Sequence, residues 1–253
     1  MVDISDWIRA LRGSQDRFAA VVAPLDDDAV TKPSYASEWS IAQVASHLGS
    51  QAVIFAKFLD AGTAGTEPPG LEQFQPIWAE WDGKTPQAQV AESVVANEEL
   101  TARIEGLSDT ERAAFRISLF GMDLDLVGLA GMRLGEHAMH VWDIAVALDP
   151  TAVIDAESVA LLVDALPTMA ARVGKPTEDE LTVVVETVAP ERKFVLTTGA
   201  AVTMALSDGG EAAELTLPAE ALLRLVYGRM DAEHTPIEAN PVLDRLREVF
   251  PGF

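Results

Sequence analysis

Apolar residues recur at helical spacing through the first half of the chain. Residues 4–23 bring Trp7, Leu11, Phe18 and Val22 to one side of a helix. Ser40 is suited to cap a second helix running to about residue 61, where Gly62 and Gly65 end it. A third helix follows Pro86 and reaches Leu107, and a fourth covers roughly 124–148, stopped before Pro150. Between the second and third, Glu67 to Thr85 holds three prolines and two glycines and reads as a long connection with one short helical turn. Long helices joined by two short links and one long one predict a four-helix bundle. A fifth helix is expected over 155–172.

The pattern then shifts to short β-branched runs. LTVVVET (181–187), KFVLTT (193–198), AVTMALS (201–207) and AELTLP (213–218) read as strands, separated by turn signals such as Ala189-Pro190 and Asp208-Gly209-Gly210. Helical spacing returns at 218–230 and again at 241–249. The expected fold is thus α then α+β: a helical bundle over residues 1–172 and a smaller C-terminal α/β domain over 173–253. VGKPTEDE (173–180) is the boundary signal.

Charge and composition narrow the function. A formal net charge of −22 disfavours phosphate backbones and anionic membranes, so neither nucleic acid nor a bilayer is an expected partner. The N-terminus shows no signal peptide, and no apolar run is long enough to span a membrane. Cysteine is absent. The chain therefore has no disulfide and no thiol nucleophile of its own, and any thiol chemistry must use a thiol from outside. These features fit a cytoplasmic protein, monomeric or weakly oligomeric.

Candidate chemistry gathers in GEHAMHVWDIAVAL (135–148), which holds two of only four histidines. On a helical wheel Arg133, Glu136, His140 and Asp143 form one polar stripe, and Glu136 and His140 are one turn apart. His137 lies farther round and could pair with His140. His47 sits alone in EWSIAQVASHLGSQ (38–51), on a stripe with Val44, Ile54 and Phe58, flanked by Gln43 and Gln51. An imidazole in such surroundings needs a partner. His47 from one helix with Glu136 and His140 from another makes a three-ligand set for a divalent ion such as zinc. Its fourth position would be open to water or a thiol. Two plainer readings compete: a solvated face with an Arg133–Glu136 ion pair, and a hydrogen-bonded core His47. Trp39 and Trp142 read first as packing anchors. Trp78 and Trp81 are candidates for capping a site entrance.

EWSIAQVASHL (38–48), GEHAMHVWDIAVAL and LLRLVYGR (222–229) together resemble the mycothiol-dependent maleylpyruvate isomerases, within the DinB-like thiol-transferase superfamily. The likeness runs in order over nearly the whole chain. It implies a DinB-like four-helix bundle followed by a smaller α/β domain. It also implies a divalent metal, usually zinc, on His47, Glu136 and His140. In that scheme Asp143 orients a metal-binding imidazole, with His137 as its neighbour. Arg229, Arg133 and Trp39 become candidates for holding cofactor or substrate. The implied cosubstrate is mycothiol, a low-molecular-weight thiol of actinobacteria, and the implied substrate is a small electrophile. The expected activity is isomerisation or S-transfer. A zinc-water hydrolase or hydratase on the same scaffold and a non-enzymatic small-molecule-binding protein are the alternatives.

Overall fold

The computed structural model describes residues 3–36 and 38–252. It divides into two compact units, residues 1–152 and 153–253.

The first unit is built on four long helices: α1 (Ile4–Val22), α2 (Ile41–Ala64), α4 (Pro86–Glu105) and α6 (Leu126–Leu148). Their starts follow from local chemistry. Asp3 and Ser40 close capping boxes with Asp6 and Gln43, Thr85 caps α4 just before Pro86, and Asp125 accepts the Gly128 N–H. Gly65, at φ +65°, ends α2 in the left-handed conformation that a β-carbon disfavours. Helix α2 packs on α4 and α6, and α1 on α4 and α6. Phe18, Ile41, Val44, Leu48 and Ile144 are wholly buried between them. Each such side chain contributes about 1.5–3 kcal/mol by leaving water.

The expected long connection is instead largely a helix, α3 (Leu71–Asp82), with Pro76 inside it. Proline counting misjudged this segment, because one lost backbone bond is offset by burying Phe74 and Trp81. Trp81 lies flat on α2 at Gly49, where a β-carbon would fall 2.2 Å from the indole. The segment after α4 forms a short helix α5 (Asp109–Ala114) and a hairpin of β1 (Ile117–Leu119) and β2 (Met122–Leu124). Phe115 from this segment packs on Gly62 of α2 in the same manner.

The second unit contains α7 (Ala156–Leu162), a 3₁₀ turn over 163–165, and α8 (Leu166–Val173). The continuous helix expected over 155–172 is therefore broken, next to Pro167. Next come β3 (Leu181–Val188), β4 (Arg192–Thr198), β5 (Thr203–Leu206), β6 (Leu215–Pro218), α9 (Ala219–Val226) and α10 (Pro241–Val249). The sheet order is β5-β4-β3-β6; β3 pairs antiparallel with β4 and parallel with β6. Val183 and Val185 of β3 lie opposite Leu196 and Phe194 of β4, all fully buried, as a period of two requires. The unit boundary falls at 152/153, not at 172/173. Helices α7 and α8 pack on α9, and α8 on β5, so they belong to the second core. The polar loop 174–180 is an internal link between its helical and sheet parts. Among the described residues no helix is long and apolar enough to cross a membrane.

The contact at Gly49 yields a test. Alanine there gains about 1 kcal/mol of helix propensity. Forcing the indole aside costs more, so Gly49→Ala should lose a net ~1–2 kcal/mol in urea unfolding. In a Trp81→Ala background the same substitution should be neutral or stabilising.

Candidate metal centre

The capping box at Ser40 sets where α2 begins, and so places His47 near the end of its second turn. Glu136 and His140 occupy successive turns of α6, which packs beside it. Glu136 Oε2 lies 3.5 Å from His47 Nε2 and 3.8 Å from His140 Nε2. One ligand atom from each residue falls within 4.8 Å of the others. Tetrahedral ligands at 2.0–2.1 Å from a zinc ion would stand about 3.3 Å apart, so only small side-chain movements separate this cluster from a coordination shell.

Hydrogen bonding assigns the His140 tautomer. Asp143, with no exposed surface, holds its carboxylate 2.9 Å from His140 Nδ1. An ionised carboxylate only accepts, so Nδ1 carries a proton, and in the neutral imidazole Nε2 is the ring nitrogen left to ligate a cation. The Gln51 amide nitrogen lies 3.2 Å from both His47 Nε2 and Glu136 Oε2. The Gln51 N–H donates to Glu136 Oε2, and the same amide lies beside His47 Nε2. Two imidazole nitrogens and a carboxylate oxygen thus converge, a donor set that suits a divalent cation.

Electrostatics agree. Burial alone would raise the Glu136 pKa, but the His47 hydrogen bond and the charges of His140, His47 and Arg133 hold it down to about 2. The carboxylate is therefore ionised at neutral pH. Burial pushes the His47 pKa down, with Glu136 opposing, which favours the neutral imidazole that a metal requires.

Trp39 forms an aromatic wall. Its ring centre lies 5.2 Å from that of His47 and 6.3 Å from that of His140. The loop carrying it is tied down at both ends. Ser34 donates to the Trp39 carbonyl through N–H and hydroxyl, and the Tyr35 N–H bonds the Asp143 carbonyl at 3.0 Å. Trp142 packs beneath, its ring against Tyr35 and its Nε1 on the Ala152 carbonyl.

Other expected residues lie elsewhere. His137 turns away from the cluster: its Nδ1 is 2.8 Å from Ser14 Oγ on α1 and Phe18 meets its ring edge-on. It is a core histidine, kept neutral because burial drives its pKa well down, and the expectation that it neighbours the metal ligands functionally is corrected. Arg133 is not on a solvated face and makes no surface ion pair with Glu136; it is buried between α6, α2 and α4. Trp81, buried on Gly49, is a packing residue and not an entrance cap. Arg229 lies in the second unit, where its Nη1 donates to the Tyr227 carbonyl at 2.8 Å. Gln51 is the residue that sequence reasoning left as a flank of the His47 stripe. Its i+4 spacing from His47 was the available signal.

The model described as mycothiol maleylpyruvate isomerase N-terminal domain matches residues 11–145, a span that contains His47, Glu136 and His140. Among solved structures, the mycothiol-dependent maleylpyruvate isomerase is similar at 12% identity and a TM-score of 0.66, over 91% of both chains. A histidine-to-alanine mutant of the mycothiol-dependent maleylpyruvate isomerase is similar at 12% identity and a TM-score of 0.67, over 90% of both chains. At that identity these likenesses establish the shared fold, helical first and sheet-containing second. The curated proteins include no significant sequence match. With more than half of its length matched by the family model, the chain belongs to the mycothiol maleylpyruvate isomerase N-terminal domain family.

Proposed function

We propose that this protein is a divalent-metal-dependent enzyme that uses mycothiol to isomerise, or to conjugate, a small electrophile. The observation that carries the reading is the convergence of His47 Nε2, His140 Nε2 and Glu136 Oε2, one ligand atom from each residue within 4.8 Å of the others. Two neutral nitrogens and one carboxylate oxygen suit zinc, and three protein ligands leave one corner for an exogenous ligand. Membership of the family and the absence of cysteine both favour an external thiol over a protein nucleophile.

In this reading His47, Glu136 and His140 hold the cation. A divalent cation there supplies Lewis acidity that favours the thiolate over the thiol at neutral pH. Asp143 keeps the His140 proton on Nδ1 and so keeps Nε2 free to ligate. Gln51 steadies His47 and Glu136 against each other through its amide. Trp39 shields one side of the site from water and offers an apolar surface to an unsaturated substrate. The thiolate sulfur adds to one carbon of the substrate double bond, and the electron pair moves to the adjacent activated carbon. Rotation about the resulting single bond and departure of the same thiolate gives net cis–trans isomerisation, with no oxidant consumed. Protonation of that carbon instead leaves the S-conjugate. Arg229 is a candidate for holding the thiol or an acidic substrate.

His140→Ala should lose bound zinc, measured by elemental analysis, and should lower turnover by at least about a hundredfold. Asp143→Asn should keep the fold and weaken zinc about 10–100-fold in competition with a chelating dye. Zinc-loaded wild type should consume an electrophile only when mycothiol is present; equal turnover without thiol would replace this reading with a hydrolase or hydratase.

A further inference from the structure

Arg133 stands one turn before Glu136 on α6 and is only 2% exposed. Its Nη2 donates to the Leu48 carbonyl at 3.2 Å and to Asn97 Oδ1, and its guanidinium lies 5.5 Å from the centre of the Phe55 ring. Among the described residues its Nη1 meets no acceptor, and no carboxylate forms an ion pair with it. A charge whose only hydrogen-bond partners in a bundle interior are neutral is costly to the fold. Burial pushes its pKa down to about 10, which still leaves it cationic at neutral pH.

The neighbourhood indicates what the charge acts on. Leu48, whose carbonyl it holds, follows His47 directly, and Glu136 is the next residue on its own helical face. In a loaded site the Glu136 carboxylate and, behind His140, the buried Asp143 carboxylate would offset charge on a divalent cation. The Arg133 guanidinium adds one positive charge from behind, out of reach of any ligand.

We propose that Arg133 is a positioning residue whose buried positive charge strengthens anion binding at the open corner of the metal-loaded site while weakening the hold on the cation. The inference rests on the metal-dependent reading above and deepens it. It makes two predictions of opposite sign, which a merely structural role would not give.

The test compares wild type with Arg133→Met, similar in length but uncharged, and Arg133→Lys, which keeps the charge. Arg133→Met apoprotein should unfold at the same or a higher urea concentration than wild type. It should bind Zn2+ about tenfold more tightly in competition with a chelating dye. Its Co2+-loaded form should bind thiocyanate about tenfold more weakly, followed by visible absorbance. Arg133→Lys should return both affinities toward wild type. Equal or weaker Zn2+ binding in folded Arg133→Met, or unchanged thiocyanate affinity, overturns the inference. Should Arg133→Met not fold, Arg133→Gln, which keeps a donor for Asn97, takes its place in the same titrations. Wild type that binds neither Zn2+ nor Co2+ overturns this inference together with the metal reading. Metal binding without mycothiol-dependent turnover overturns the thiol reading alone, and the two titrations still decide the role of Arg133.

Discussion

His47 Nε2 and His140 Nε2 face the Glu136 carboxylate at 3.5 and 3.8 Å, so that three potential metal ligands from two helices converge on one point. Much of the first unit can be understood as support for that arrangement. Asp143 fixes one imidazole, Gln51 steadies the other, and the Trp39 loop is anchored to the Asp143 backbone. Polar groups gathered in a helical interior are costly, so each needs a partner and each partner needs a place in the packing. The capping box at Ser40 matters for the same reason: a slip of one residue at the start of α2 would rotate His47 by about 100° away from α6.

The interior of the bundle is more polar than its function alone requires. Ser14, Gln15, Ser93, Asn97, Arg133 and His137 are all buried among α1, α4 and α6. Several are satisfied by backbone carbonyls of their own or neighbouring helices: Gln15 bonds Val94, and Asn97 bonds Ser93. Arg133 is the charged member of this layer. It lies where a neutral residue would pack more favourably, which connects a cost in stability to an electrostatic gain at the site.

Helical periodicity located α1, α2, α4 and α6 because each buries a continuous apolar stripe, and period two located the strands for the same reason. It failed at α3, where Pro68, Pro69, Gly70 and Pro76 suggested irregular chain. The decisive term there is long-range, since Trp81 needs the bare backbone of Gly49 to pack against. It failed again at the domain boundary. Composition changes at 173–180, yet α7 and α8 bury Val159, Leu162 and Leu166 in the second unit. A shift in residue texture marks a change of secondary structure, and a core can extend across it.

The candidate site shows the same division. Spacing within α6 was enough to pair Glu136 with His140 and to put Asp143 one turn from His140, because helical geometry is local and repeats every 3.6 residues. His47 was set beside them as the third member because an imidazole on a partly apolar stripe needs a partner, and the resemblance selected the same residue. No spacing rule could tell that Arg133, on the same polar stripe, is buried against α4, or that His137 turns to Ser14. Nor could it tell that Gln51 reaches across to Glu136. Those outcomes depend on which faces of neighbouring helices meet, and burial, tautomer and charge are set by atoms distant in the chain.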